Sequence, residues 1–351
     1  MDHNGERGRM GDRDGNLLIL TNRDVRSLLD GCEREVIDVV SRAYQTHEFG
    51  ESSLPHSTFL RFPNQPRDRI IALPAYLGSD FRVAGVKWIA SFPENLDKGL
   101  ERASGVLILS SPVTGRPQAV LEASVISAQR TAASAALAAQ TLQRKPGAEQ
   151  IGIIGCGLIS LETVRFLLAA CPEIRSIVVH DIDDARAQSF KQKCRGVSAE
   201  VEVETARTID AVLRGASLVL FATTALEPYV RDLSSCAPGA TILHISLRDL
   251  SAEAILSCDN IVDDVDHVCR AQTSVHLAEQ VVGNRDFIRG TLASMVRGLI
   301  PPRIDDATIT IFSPFGLGVL DIAVGKFVID RATANGCGTV IESFNATYTE
   351  E

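Results

Sequence analysis

The segment Gly155-Cys156-Gly157-Leu158-Ile159-Ser160 follows an apolar run, residues 151–154, and opens a stretch with helical periodicity. The first glycine of such a turn permits a tight strand-to-helix reversal, and the second lets backbone approach a pyrophosphate. The N–H groups at the helix start then hold the anion. Ser160 stands where a third Gly or Ala is usual, so the motif draws its weight from context. The next apolar run, residues 176–180, ends at Asp181, about twenty residues past the motif, where a carboxylate would receive the ribose hydroxyls of adenosine. A carboxylate there repels a 2′-phosphate. NAD rather than NADP is the expected cofactor, on Gly155, Gly157, Leu158, Ile159 and Asp181. Thr223 and Thr224 follow another apolar run, 218–222, where loops at the carboxyl ends of strands cover such a crevice; a plain turn cap is the alternative.

Two cations stand in apolar surroundings. Arg130 interrupts an alanine-rich stretch, 124–142, whose small side chains imply close packing, so its guanidinium would need a fixed anion. Lys87 lies in the apolar run 83–91, on one face with Gly85 and Ile89; a solvent-facing lysine on an edge strand is the plain alternative.

The elements that position these groups fall into three stretches. Residues 24–49 have helical periodicity, and 57–62, 69–76, 83–91 and 105–110 are short apolar runs bounded by Pro, Gly, Asn or Asp, as strands are. A turn at 113–116 joins 107–110 to 117–122 as a hairpin. A helix over 124–142 ends at Lys145-Pro146-Gly147 and leads into strands at 151–154, 176–180, 201–204, 218–222, 241–245 and 260–262. Helices such as 158–170 and 185–193 alternate with them, which predicts an α/β fold with a Rossmann-type doubly wound parallel sheet. A strand near 309 and a helix over 319–335 are expected to return to the first stretch. The expected organisation is therefore a tail at 1–16, a discontinuous α+β domain at 17–127 and 316–351, and a dinucleotide domain at 128–315.

Composition narrows the partners. The 351 residues are 45% hydrophobic and 23% charged, as globular chains are, and the net charge of −9 argues against nucleic acid. No apolar run reaches the roughly 20 residues of a bilayer span, and residues 1–16 have no apolar core of the kind a signal peptide needs. A cytoplasmic location is expected. The eight cysteines and seven histidines are scattered without metal-ligand spacing, so no metal site is expected.

Taken together, these motifs resemble the ornithine cyclodeaminase/mu-crystallin family from about Leu18 to Gly338. The resemblance is carried by Val86-Lys87-Trp88 with Pro93-Glu94-Asn95, Arg130-Thr131-Ala132-Ala133, the Gly155–Ser160 turn, Asp249, and Phe315-Gly316-Leu317-Gly318 followed by Leu320-Asp321. Residues 54–63 and 88–95 are most similar to the branch acting in staphyloferrin B-type 2,3-diaminopropionate biosynthesis. The resemblance implies a homodimer whose outer domain binds substrate and dimerises, and an NAD site to which Thr131 contributes. It also implies oxidation of an anionic amino acid, N-(2-amino-2-carboxyethyl)-L-glutamate, at a CH–NH bond. The imine is hydrolysed to 2-oxoglutarate and L-2,3-diaminopropionate for siderophore or nonribosomal peptide assembly, downstream of a pyridoxal-phosphate synthase.

On that reading Lys87, Arg61 and Arg130 pair the substrate carboxylates, with Arg67 and Arg69 as rivals to Arg61 and His56 as a further contact. Asp249 takes a proton from the amine and later guides water; its plain alternative is the N-cap of a helix over 250–257. The nicotinamide is expected in a cleft between two lobes, facing these groups. Cyclodeaminases carry a Glu just before the proline of the second strand for a distal ammonium, and the aligned place here is Ala72, which disfavours ornithine. The alternatives are ornithine cyclodeamination, cyclic-imine reduction, or a non-catalytic mu-crystallin-like ligand-binding protein.

Overall fold

The computed structural model describes residues 15–144 and 146–346. Most of the expected tail, residues 1–14, and Lys145 of the expected helix stop lie outside them. The chain divides into two compact units. One takes its described residues from 15–32, Phe49–Ser127 and 318–346, the other from Glu33–Glu48 and Ala128–Leu317.

The first unit is built on a sheet ordered Thr339–Ile341, Leu17–Leu20, Pro117–Glu122, Ala103–Ser110, Val83–Ser91, Gln65–Leu77 and Ser52–Ser53, with Thr58–Phe62 also paired to Gln65–Leu77. Its pairings are antiparallel except that of Leu17–Leu20 with Pro117–Glu122. Side chains alternate across a strand. Leu73, Ala75, Leu77, Leu107, Leu109 and Leu121 are accordingly buried on the face that packs against the helix Gly318–Asn335, whose own Val319, Leu320, Ile322 and Ala323 are buried. The opposite face leaves Tyr76, Trp88 and Val106 exposed.

The second unit is a sheet of eight parallel strands ordered Glu202–Thr205, Ser176–His180, Gln150–Ile154, Leu218–Phe221, Thr241–His244, Thr310–Ser313, Asp259–Val262 and Ile288–Thr291. The central strands Leu218–Phe221, Thr241–His244 and Thr310–Ser313 are buried along their whole length, as strands covered on both faces must be. Strand order reverses between Gln150–Ile154 and Leu218–Phe221, and the carboxyl ends at that switch point form the ligand crevice of this fold class. The architecture is the doubly wound α/β sheet with a discontinuous α+β unit that the sequence predicts.

Several boundaries differ from expectation. The periodic stretch 24–49 is two helices, Asn22–Leu29 and Glu33–Glu48. Asp30 is extended and Gly31 left-handed at φ 69°, which ends the first helix. The second helix groups with the dinucleotide unit rather than with the residues around it. Glu33 pairs with Arg165, the Tyr44 hydroxyl is 2.6 Å from that of Ser134, and Glu48 accepts from Ser294. The strand Ile288–Thr291 escaped the sequence reading because Arg289 and Gly290 interrupt its apolar character. Among the described residues no helix is long and apolar enough to cross a membrane, and no group of three or more His, Cys, Asp or Glu could hold a metal ion.

Candidate active site

The strand Gln150–Ile154 turns through Gly155 into the helix Leu158–Ala170. Gly155 has φ 95°, and a Cβ there would come within 2.6 Å of the Ala222 carbonyl, so both conformation and space require glycine. Gly157 is the N-cap of the helix and no side chain caps it; a Cβ at this position would meet nothing within 4 Å. The first amides of a thirteen-residue helix thus open onto free space, which fits a pyrophosphate. Ser160 gives a reason for its departure from the usual small residue, since its buried hydroxyl donates to the Gly155 carbonyl at 2.5 Å and ties the helix to the turn.

Asp181 follows the strand Ser176–His180 and braces the same turn. Its Oδ2 accepts from the Cys156 N–H at 2.8 Å, and its Oδ1 from the Asp183 N–H at 3.0 Å. Each carboxylate oxygen can accept more than one hydrogen bond, so these contacts leave capacity for ribose hydroxyls. Burial, with the Asp181 charge beside it, pushes the Cys156 thiol up to about 12, so it stays protonated and unreactive.

Asp249 lies past the strand Thr241–His244 and is 0% exposed. It is not a helix cap. The short helix beyond it is Ala252–Leu256, and its cap is Ser251, whose hydroxyl accepts from the Ala254 N–H. The Asp249 carboxylate instead collects side chains. Oδ1 accepts from the Thr223 hydroxyl at 2.5 Å and the Tyr229 hydroxyl at 2.9 Å. Oδ2 accepts from Ser246 and lies 3.3 Å from Nε2 of the buried His244, whose Nδ1 is 3.1 Å from the Ser313 hydroxyl. Burial alone would raise the Asp249 carboxyl, but His244, Ser246 and Thr223 outweigh it and hold it at about 2. Thr223 therefore sits in this cluster, while Thr224 is exposed beside it.

Lys87 is in an interior strand, paired on both sides, and only 2% exposed, so the edge-strand alternative does not hold. Its Nζ lies 2.8 Å from Oδ2 of Asp321, itself 0% exposed, and donates to the Ser127 hydroxyl at 3.1 Å. The register places Lys87 opposite Leu73, Ile89 opposite Ile71, Ser91 opposite Arg69, and Arg69 opposite Arg61. With side chains alternating, Lys87, Arg69 and Arg61 share one face of the sheet. Arg61 is exposed and lies over the Phe59 ring at 5.7 Å, and His56 is exposed in the preceding loop. Ala72 pairs with Trp88 and so belongs to the other face. On Lys87's own face the nearest residues of the neighbouring strand are Ile71, Leu73 and Ala75, none acidic, and the acid beside Lys87 is Asp321 of the helix Gly318–Asn335.

Arg130 is 9% exposed in the helix Ala123–Leu142. Its guanidinium lies against Gly316, where a Cβ would stand 2.8 Å from Nη1 and where φ is 92°. That turn is held by the buried Asp263 carboxylate, which accepts from the N–H groups of Phe315 and Gly316, both at 2.8 Å. Thr131, the next residue of the helix, is half-buried.

Sequence reading missed Tyr229, Ser246 and His244, because each is an ordinary polar residue in its own segment and only the loops at the strand ends bring them together. Asp321 belongs to the Leu320-Asp321 motif, whose type and spacing assign it no role. An acid inside the otherwise apolar 319–325 run was the available signal, since a buried carboxylate requires a partner.

The family model "Ornithine cyclodeaminase/mu-crystallin family" matches residues 17–336. The chain is 30% identical over 335 residues to N-((2S)-2-amino-2-carboxyethyl)-L-glutamate dehydrogenase of Staphylococcus aureus, covering 93% of this chain and 99% of that one. It is 31% identical over 339 residues to alanine dehydrogenase of Archaeoglobus fulgidus, covering 93% and 98%. Among solved structures, Δ1-pyrroline-2-carboxylate reductase of Thermococcus litoralis, in complex with NADH and L-proline, superposes with a TM-score of 0.85 at 27% identity over 92% of this chain and 99% of that one. An archaeal alanine dehydrogenase dimer with bound NAD gives 0.83 at 27% identity, over 93% and 99%.

Proposed function

The chain belongs to the ornithine cyclodeaminase/mu-crystallin family, and from that premise we propose an NAD-dependent dehydrogenase. Its substrate is N-(2-amino-2-carboxyethyl)-L-glutamate, oxidised at the glutamyl CH–NH bond and hydrolysed to L-2,3-diaminopropionate and 2-oxoglutarate. The observation that carries this substrate is the face shared by Lys87, Arg69 and Arg61, with Ile71 and Leu73 between and no acid among these strand positions. Leu73, opposite Lys87, and Arg69 are four steps apart along the strand, a span of about 13 Å that long arginine side chains shorten. An elongated molecule with several carboxylates suits the two arginines of such a row, while the Lys87 ammonium at its inner end already has the Asp321 carboxylate 2.8 Å away. The whole-length match to the S. aureus dehydrogenase supports the same substrate.

Bound NAD supplies the hydride acceptor. This chain's residues do the rest. Lys87, Arg61 or Arg69, and Arg130 hold carboxylates and thereby fix which carbon faces the cofactor, while His56 contributes a loop contact. Gly155, Gly157, Leu158, Ile159, Asp181, Thr131 and Thr224 seat the dinucleotide. Asp249, kept ionised by its partners, is the final acceptor of the proton that the amine must lose, and it supplies one to the nitrogen and takes one from water as water adds to the imine. The enzyme works as a homodimer, after a pyridoxal-phosphate synthase that joins glutamate to an activated serine. The apolar outer face of the first unit's sheet is the dimerisation surface. Purified protein given NAD and the conjugate should release diaminopropionate and 2-oxoglutarate in equal amounts. Absence of both products would reject the assignment.

A second reading, reduction of a cyclic imine, is favoured by the likeness to the T. litoralis reductase. Oxidation of NADH by Δ1-pyrroline-2-carboxylate, with the conjugate inert, would establish it.

A further inference from the structure

Asp249 has a difficulty as a base: it is 0% exposed and both its oxygens are engaged, so it offers no surface to a substrate. Tyr229, by contrast, is 42% exposed, and its hydroxyl donates directly to Asp249 Oδ1. The two residues are also stitched together through backbone. The N–H groups of Tyr229 and Val230 both donate to the Asp249 carbonyl, at 3.0 and 2.9 Å, and Ser251 N–H returns to the Val230 carbonyl at 2.9 Å. A bridge between Val230 and Leu250 completes the stitch. The phenol is therefore aimed by backbone and not merely by rotamer choice.

Resting on the reading above, in which Asp249 is the base, we propose that the Tyr229 hydroxyl is the group through which Asp249 exchanges a proton with the reacting nitrogen. The nitrogen's proton passes to the phenol oxygen while the phenol's own proton passes to Asp249 Oδ1. An N–H and a phenol O–H bond break, a phenol O–H and a carboxyl O–H bond form, and no electrons change owner. When water adds to the imine, the relay returns its proton to the nitrogen as the water oxygen bonds to carbon, and the proton the water loses takes its place on Asp249, to be released to solvent at the end of the cycle. Two other hydroxyls reach the same carboxylate. Thr223 already accepts from the Ala225 N–H at 3.1 Å, which uses part of its capacity for a substrate proton, and Ser246 is less exposed than Tyr229. Burial and the adjacent Asp249 charge hold the phenol well above the usual tyrosine range, so it stays a neutral donor and acceptor instead of ionising.

The test uses the full chain with NAD and whichever amino acid the wild-type protein oxidises, the conjugate first. Tyr229→Phe should lower kcat about a hundredfold, the low end of what positioned proton transfer contributes, with NAD affinity unchanged. In mixtures of light and heavy water the wild-type rate should curve with deuterium content, because two protons move together, and the Tyr229→Phe rate should fall on a line. Thr223→Val and Ser246→Ala should keep the curve. Site-specific 3-fluorotyrosine at 229 preserves shape and lowers the phenol pKa, and should change kcat several-fold even where phenylalanine disturbs folding. Wild-type kcat and a curved plot in Tyr229→Phe, or an unaltered rate with fluorotyrosine, would overturn the relay. Full activity in Asp249→Asn would instead overturn the base assignment beneath it, and a wild-type protein that oxidises no amine would overturn both.

Discussion

The ammonium of Lys87 lies 2.8 Å from the carboxylate of Asp321, and neither side chain reaches solvent. A lone buried charge is expensive, so this pair explains how a strand interior can keep a cation at all. Removing one partner leaves the other uncompensated. Asp321→Asn should cost about 3–5 kcal/mol in urea unfolding. The double change Lys87→Met with Asp321→Leu should recover most of that stability and no activity. Equal stability of Asp321→Asn and wild type would show that the pair contributes nothing to the fold.

Ser251 and Asp249 separate capping from chemistry within three residues. Ser251→Ala removes the cap of Ala252–Leu256 and should cost about 1 kcal/mol while kcat stays near wild type. Asp249→Asn should abolish turnover. Comparable kinetic losses in both variants would return Asp249 to a structural role.

The Asp249 carboxyl, held at about 2 from an ordinary 3.8, links stability to pH. A carboxyl lowered on folding stabilises the native state above its unfolded pKa, and that contribution fades as pH falls from about 4 towards 2. It amounts to about 2 kcal/mol at neutral pH. Asp249→Asn should therefore narrow its stability deficit against wild type as pH is lowered through that window. A deficit that stays constant would contradict the depressed carboxyl.

Asp181 serves both the turn and the cofactor. Asp181→Ser should lower the preference for NAD over NADP, because the charge that repels a 2′-phosphate is gone. It should also loosen the turn, since Cys156 N–H loses a carboxylate acceptor. Titration with each nucleotide, followed by quenching of protein fluorescence, reads both effects. An unchanged preference would remove Asp181 from the ribose site.

Tyr76, Trp88 and Val106 lie exposed on one sheet face of the first unit. Trp88→Glu with Val106→Asp should convert the expected dimer to monomer in light scattering. A dimer that survives both changes would place the interface elsewhere.

Much of this is legible in the amino-acid sequence. The dinucleotide turn could be read because its requirements are local: Gly155 needs a left-handed φ, the helix start must stay uncapped, and Asp181 must end the next strand. Lys87 and Arg130 stood out because a cation in an apolar run demands an explanation. What stayed hidden depends on register or on distant loops. The face of Ala72 is decided by its pairing with Trp88, and a one-residue misjudgement moves a side chain to the other side of a sheet. Tyr229 meets Asp249 only because two loops at neighbouring strand ends are joined by backbone hydrogen bonds. The break at Gly31 was obscured by apolar periodicity that continues on both sides of it.

In the proposed reaction hydride leaves one particular carbon, the glutamyl α-carbon. The conjugate carrying deuterium at the glutamyl α-carbon, incubated with NAD and the protein, should yield deuterated NADH together with 2-oxoglutarate that has lost its label, and a slower rate than the unlabelled compound. Unlabelled NADH, or no reduced nucleotide while alanine or a cyclic imine is turned over, would contradict it.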